Sequence, residues 1–199
     1  MASFDPADLP PGAFARMLSG TVIPRPIALV TTLGEGGVNA APFSFFNLVC
    51  ADPSMLMFSA SAREGAAKDT VRNIEALPEF VVHIVPWRER EKMNRCSAEL
   101  PYGIDEVALA GFRTVPSLKV RPPRLADCPV QLECRLERTV KLGTRPYTMV
   151  IGEIVLAHYD DGIVDASRHH VDVDRIDAMG RMQGDTYARL TDRFAMPRP

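Results

Sequence analysis

Apolar runs of strand length follow one another along this chain with only turn residues or a short helix between them, and this spacing constrains the fold more than any other feature. The runs RPIALVTTL, VNAAPFSFFNLVC, SMLMFSAS and FVVHIV, followed later by VQLECRLERTV and YTMVIGEIVLAHYD, are rich in β-branched and aromatic residues. They are bounded by GEGG, ADP and other clusters of Gly, Pro, Asn and Asp. Runs so closely spaced read as an antiparallel meander. Consecutive parallel strands would need a crossover of a dozen or more residues, and the sequence has no alternating βαβ register. The expected architecture is therefore mainly β with helical additions, closed as a barrel, rather than a Rossmann sheet.

Three helical segments are expected between the strands. In PPGAFARMLSG, Phe14, Met17 and Leu18 share a face, and Ser19-Gly20 is expected to stop the helix. In KDTVRNIEAL, Val71, Ile74 and Leu77 share a face, Asp69 or Thr70 is placed to cap the start, and Pro78 ends it. WREREKMNRCSAEL, from Trp87 to Leu100, reads as a charged helix. The tail GRMQGDTYARLTDRFAMPRP has no clear period and reads as a segment laid over a surface, including that of a partner subunit.

Composition narrows the function classes. With 23 Lys+Arg against 25 Asp+Glu in 199 residues, the chain carries no electrostatic footprint for nucleic acid or an anionic membrane. Small molecules and proteins are the expected partners. Cys50, Cys96, Cys128 and Cys134 form no C-x-x-C pair and have no histidines at zinc-site spacing, so they are expected to be buried reduced thiols. His169-His170 likewise lacks a third ligand and reads as a solvated loop pair, and His83 reads as a hydrogen-bonded packing residue. MASFDPADLPPG lacks the basic start and apolar run of a signal peptide, and no apolar stretch approaches the roughly 18 residues of a membrane span. A soluble, cytoplasmic chain with one domain over residues 1–199 is expected.

Two stretches carry candidate chemistry. VNAAPFSFFN, residues 38–47, is bulky at one end and bare at the other. As a continuous pleated strand it would turn Phe43 and Phe45 to one face and Pro42, Ser44 and Phe46 to the other. Its Ala-Ala-Pro end would let a flat ligand approach the main chain, with Ser44 and Asn47 adding polar contacts; an ordinary barrel strand accounts for the same residues. SASAREGAAKDT, residues 59–70, leads from serines through Arg63, Gly65 and Lys68 to a helix start near Thr70. Helix starts with free amides, hydroxyls and a nearby cation suit a phosphate, although basic residues before a helix are also commonly just solvated. A ring at one end and a phosphate at the other describes FMN. The Walker, G-x-G-x-x-G and H-E-x-x-H motifs are absent.

The stretch IPRPIALVTTLGEGGVNAAPFSFFNLVCADPSMLMFSAS, together with KDTVRNI, FVVHIV, GIDEVALAGF, PSLKV, PVQLEC, GEIVLAH and GRMQGDTYAR, closely resembles the flavin reductase-like family with an FMN-binding split barrel. The resemblance covers nearly the whole chain. It implies a split β-barrel of six strands or so with Greek-key features, forming a homodimer with FMN near the subunit interface. It places the flavin ring and ribityl chain beside Ala41, Pro42, Phe43, Ser44 and Asn47, and the phosphate near Ser59, Ser61, Arg63, Lys68, Asp69 and Thr70. Asp69, a carboxylate, fits there only as a cap or through its backbone amide. Arg25, between prolines, and Arg181, beside a glycine, could reach the phosphate or the flavin carbonyls, or could make interface salt bridges. His83 stands where the family usually has asparagine.

The implied activity is an NAD(P)H-dependent flavin reductase, NADH or NADPH giving a hydride to the flavin, with an FMN-binding electron-transfer protein as the rival. Reduced flavin would pass electrons to free FMN, oxygen, a monooxygenase partner or another acceptor. A cofactor-free interaction module would show no flavin spectrum.

Overall fold

The computed structural model describes residues 1–62, 67–144 and 146–198. Its main element is a seven-stranded antiparallel sheet. The strands, numbered along the chain, are β1 (Ala28–Gly34), β2 (Gly37–Phe43), β3 (Phe46–Ala51), β4 (Ser54–Ser61), β5 (Glu79–Ile84), β6 (Val130–Leu142) and β7 (Tyr147–Tyr159). Their order across the sheet is β2-β1-β5-β6-β7-β4-β3. The two edge strands, β2 and β3, are consecutive in sequence and joined by only Ser44 and Phe45. So short a link curls the sheet until β2 comes against β4, with the Phe43 and Phe58 rings 4.6 Å apart between centroids, which closes it as a barrel while the two edges stay unpaired. The β2–β3 pair itself has no ladder, and the Ser59 amide instead donates to the Phe45 carbonyl at 2.8 Å. Among the described residues the barrel sheet has seven strands, where six or so was expected.

Alternation along β1 sorts two cores. Ala28 and Val30 face the barrel interior with Phe43, Leu56, Phe58, Phe80, Val82 and Val150, where α2 (Asp69–Ala76) inserts Val71 and Ile74. Leu29 faces the opposite way with Ala40, Met93, Val107 and Phe112, beneath the short helices α3 (Arg90–Arg95) and α4 (Glu106–Ala110). A strand covered on both faces is buried along its length, as β1 is from Ala28 to Thr32, where the Thr31 and Thr32 hydroxyls are satisfied by hydrogen bonds.

Several local expectations change. VNAAPFSFFNLVC is two strands, bent at Ser44-Phe45. The bend breaks the alternation: Phe43 and Phe46 both pack on the interior cluster, whereas Phe45 is exposed and stacks on Tyr147 at 6.0 Å between centroids. The first helix, α1 (Ala13–Thr21), runs through Ser19-Gly20, and the Ser19 and Thr21 hydroxyls donate back to the Arg16 and Met17 carbonyls. The charged helix shrinks to a 3-10 turn, Trp87–Glu89, and α3. The tail folds back on its own chain, where Met179–Arg181 pairs with both Arg25–Pro26 and Tyr187–Arg189. Three cysteines are buried, but Cys50 is exposed on β3, its thiol donating to the Pro53 carbonyl. His83 is fully buried: its Nδ1 bonds the Leu29 carbonyl and its Nε2 accepts from the Leu125 amide, both at 2.9 Å. His169 and His170 are exposed, and no His/Cys/Asp/Glu cluster among the described residues could hold a metal. No described helix is long and apolar enough to cross a membrane.

Candidate functional site

The bend after β2 leaves Ala41 and Pro42 half-buried at the strand's end, with little side chain over the main chain. They form one wall of a cavity of about 400 Å³ whose other walls are Lys68, Asp69 and Thr70 at the start of α2, Cys96–Leu100 after α3, and Glu106 on α4. Pro42 and Ser97 also line an adjoining cavity of about 390 Å³ with Arg25, Ser44, Arg181 and Tyr187. That one shares Met93, Arg181 and Tyr187 with a third, of about 490 Å³, lined by Trp87, Arg90 and Arg95. The shared residues make one trough, with Pro42 near its middle.

At one end stands Lys68, the N-cap of α2, where the first amides of an eight-residue helix lack intrahelical partners. Its ammonium lies 5.6 Å from the centroid of the Phe43 ring, and no carboxylate among the described residues pairs with it. Neither Asp69 nor Thr70 caps the helix through its side chain. The Thr70 hydroxyl instead donates to Asn39 Oδ1 at 2.9 Å, within a buried network in which Thr32 donates to the same oxygen and Asn73 donates to Thr32.

Glu106 closes this end of the trough. Its Oε2 accepts from the Ala40 amide at 2.8 Å and from Asn39 Nδ2, so one carboxylate oxygen fixes the strand that presents Ala41 and Pro42. Burial, reinforced by the Asp69 charge, raises its pKa to about 7 against the pull of those bonds and of Lys68. Nearby, burial and the Glu106 charge push the Cys96 thiol up to about 12. Neither Asn39 nor Glu106 was singled out from the sequence. The signal present was DEVALAG, with Asp105 before Glu106, but nothing local ties that motif to β2.

The middle of the trough is organised by Arg25, which is buried. Its guanidinium donates to the Ser19, Val22 and Met182 carbonyls, and to the Ser44 hydroxyl at 3.4 Å. Burial and the nearby Arg181 charge lower its pKa from the usual guanidinium range. Arg25 thus ties α1 and the tail to the bend, with its donors engaged by protein carbonyls instead of standing free for a phosphate. Arg181 stacks on Tyr187, 4.5 Å from the ring centroid, and donates to the Tyr187 hydroxyl and the Gly184 carbonyl.

The sequence-predicted residues therefore divide. Ala41, Pro42, Lys68, Asp69 and Thr70 share one cavity, and Arg25, Ser44 and Arg181 line the next. The Phe43 ring belongs to the core. Ser59 and Ser61 alternate with the interior residues Phe58 and Ala60 and point to the other face of β4. Asn47 is exposed, accepts from its neighbour's amide, and lies against a separate apolar cavity with Pro26, Phe46 and Tyr159. Arg63 lies outside the described residues.

The sequence model of the family described as "Flavin reductase like domain" matches residues 19–173. The chain belongs to this family. Among solved structures, this flavin reductase-like chain is similar to the 2-nitrobenzoate 2-nitroreductase of Pseudomonas fluorescens, with 34% identity, a TM-score of 0.91, and coverage of 100% of this chain and 96% of that one. It is also similar to nitrilotriacetate monooxygenase component B of Bacillus cereus, with 30% identity, a TM-score of 0.94, and coverage of 98% of each chain. A putative flavin reductase with a split barrel domain from Shewanella frigidimarina superposes with a TM-score of 0.86 over 100% of both chains at 19% identity, a likeness of fold. The seven-stranded sheet with its unpaired β2–β3 seam is thus a split barrel.

Proposed function

We propose that this flavin reductase-like protein binds FMN in the trough and uses it to oxidise NADH or NADPH. The observation that carries this reading is the joining, in one cavity, of a lysine at a helix start, with no carboxylate partner among the described residues, to the bare Ala41-Pro42 end of β2. The donor set fits the group: the α2 amides and Lys68 suit a phosphate, and the exposed main chain before the bend suits a planar ring. Asp69 contributes its backbone, and Thr70 contributes through Asn39. Arg25 and Arg181 act as walls, holding the bend and the tail in place beside the ring. Bound FMN supplies the redox chemistry, so the protein needs no acid/base dyad. The Trp87, Arg90 and Arg95 cavity, open to the same trough, offers the nicotinamide dinucleotide stacking surface and cations.

The likeness to a monooxygenase component B supports a monooxygenase as one acceptor of the electrons. A homodimer completes the reading, and it places Ser59, Ser61 and Asn47 where a second copy would cover them. The test is an absorbance spectrum of the purified protein with FMN added and the excess removed, followed by NADH and NADPH without oxygen. Flavin bands that bleach with either nucleotide are expected. Bands that persist would replace the reductase with an electron-transfer protein reduced by a partner, and failure to retain flavin would overturn the cofactor assignment.

A further inference from the structure

Glu106 is a carboxylate on the wall of the cavity assigned above to the phosphate, and its two oxygens are not equivalent. Both hydrogen bonds go to Oε2, from the Ala40 amide and Asn39 Nδ2, while Oε1 has no hydrogen-bond partner among the described residues. The charged and titratable groups around it are Lys68 and Asp69 at the start of α2, Cys96 at the end of α3, Glu99 in the following loop, Tyr102 beside Asn73, and Asp105 on its own element. Asp105 is committed to capping α4 through the Ala108 amide. Among the described residues of the cavity wall, Lys68 is the one cation, and it stands beside Asp69.

A dianionic phosphate drawn to Lys68 would meet an ionised Glu106 across the same cavity, and two anions so placed repel. One proton on Oε1 removes the repulsion, leaves both Oε2 bonds intact, and turns a second acceptor into a donor toward the phosphate. We propose that Glu106 is a phosphate-binding residue of the site, taking up one proton from solvent at Oε1 when a phosphate-bearing flavin enters. The inference rests on the FMN reading above and adds to it a proton that binds together with the phosphate. The Cys96 thiol, pushed up to about 12, stays protonated throughout the working range and does not compete for that role.

The test is calorimetric titration of the apoprotein with FMN and, separately, with riboflavin, which has the ring but no phosphate. Buffers of different ionisation enthalpy are used between pH 7.5 and 9, where the phosphate is already dianionic. FMN binding is expected to take up a substantial fraction of a proton and to weaken about tenfold as pH rises across that window. Riboflavin should take up none and vary little. Glu106→Gln, whose amide oxygen can accept both bonds now made to Oε2, should bind FMN without proton uptake and with affinity that no longer falls with pH. FMN binding with no proton uptake, or uptake that persists in E106Q, overturns the role of Glu106 and leaves the FMN reading standing. Failure of the native protein to bind FMN overturns both.

Discussion

His83 shows how one buried side chain ties stability to pH. Burial lowers its pKa to about 4, outweighing the Leu29 carbonyl, while the unfolded chain titrates at an ordinary 6.5. Below pH 6.5 the unfolded state binds the extra proton, so stability present above that pH is lost as pH falls toward 4. Between pH 7.5 and 5 this amounts to about 2 kcal/mol. Glu106 works in the opposite direction: its raised pKa gives the folded state the extra proton as pH falls, by a smaller amount because the group is only half-buried. Denaturant titrations at the two pH values should therefore separate the pair. His83→Asn should gain about 2 kcal/mol at pH 5 relative to pH 7.5 when compared with the native protein, and Glu106→Gln should shift the other way. Equal pH dependence in native and H83N proteins would remove the histidine from this role. Lys68 belongs to the same scale. Lys68→Ala should weaken FMN binding by about 1.5–3 kcal/mol if its ammonium meets the phosphate. Fluorescence titration measures this directly, and an unchanged Kd would take the lysine out of the site.

At the level of elements, β-bulges and glycines set the curvature of the barrel. The β6–β7 ladder shifts register at Ile151/Gly152, and a Cβ built on Gly152 would stand 2.4 Å from Cζ of Phe80, a ring held edge-on against Phe58 in the interior. Gly152→Ala should cost about 1–3 kcal/mol through overpacking, read as a lower denaturant midpoint with little change in slope. A midpoint unchanged from native would mean that the ring has room to retreat. The strand runs and α2 were legible because period-2 and period-3.6 patterns are local properties, and Val71 and Ile74 fall where their spacing puts them. The Ser44-Phe45 bend was not, because FSFF alternates equally well on paper and only barrel closure decides that Phe46 turns inward after Phe43. The same limit hid half of the candidate site. Ala41, Pro42 and Lys68 stand in stretches whose composition marks them, whereas Asn39 and Glu106 meet across 67 positions of sequence, and only the fold brings them together.

The whole molecule leaves one edge of its sheet unguarded. Among the described strands β3 pairs only with β4, and its sequence, FNLVCA, carries neither a charge nor a proline to discourage further association. Leu48 is 69% exposed and Val49 49%. On the same strand Phe46, Asn47 and Leu48 border the apolar cavity with Ile84, Val130 and Tyr159, and α1 and the two residues after it leave Met17, Leu18, Val22 and Ile23 exposed as well. Scattered apolar residues are normal on a surface, but an uncharged edge strand beside an apolar hollow is a surface suited to association. A second copy of this chain is the occupant that the family reading supports. The native protein should therefore run as a dimer in light scattering at micromolar concentration, with a Tm that rises with concentration. Leu48→Lys combined with Val49→Lys should weaken association by about 100-fold or more, since it removes two apolar contacts and sets like charges on a shared edge. In the dimer reading the variant's monomers should also hold FMN less tightly, because Asn47 and the Phe45–Tyr147 pair would lose their cover, while Lys68 and Glu106 stay in place on the far side of the bend. A native protein that stays monomeric at 100-fold higher concentration would remove the second copy from the site and leave the trough as a complete binding site within one chain.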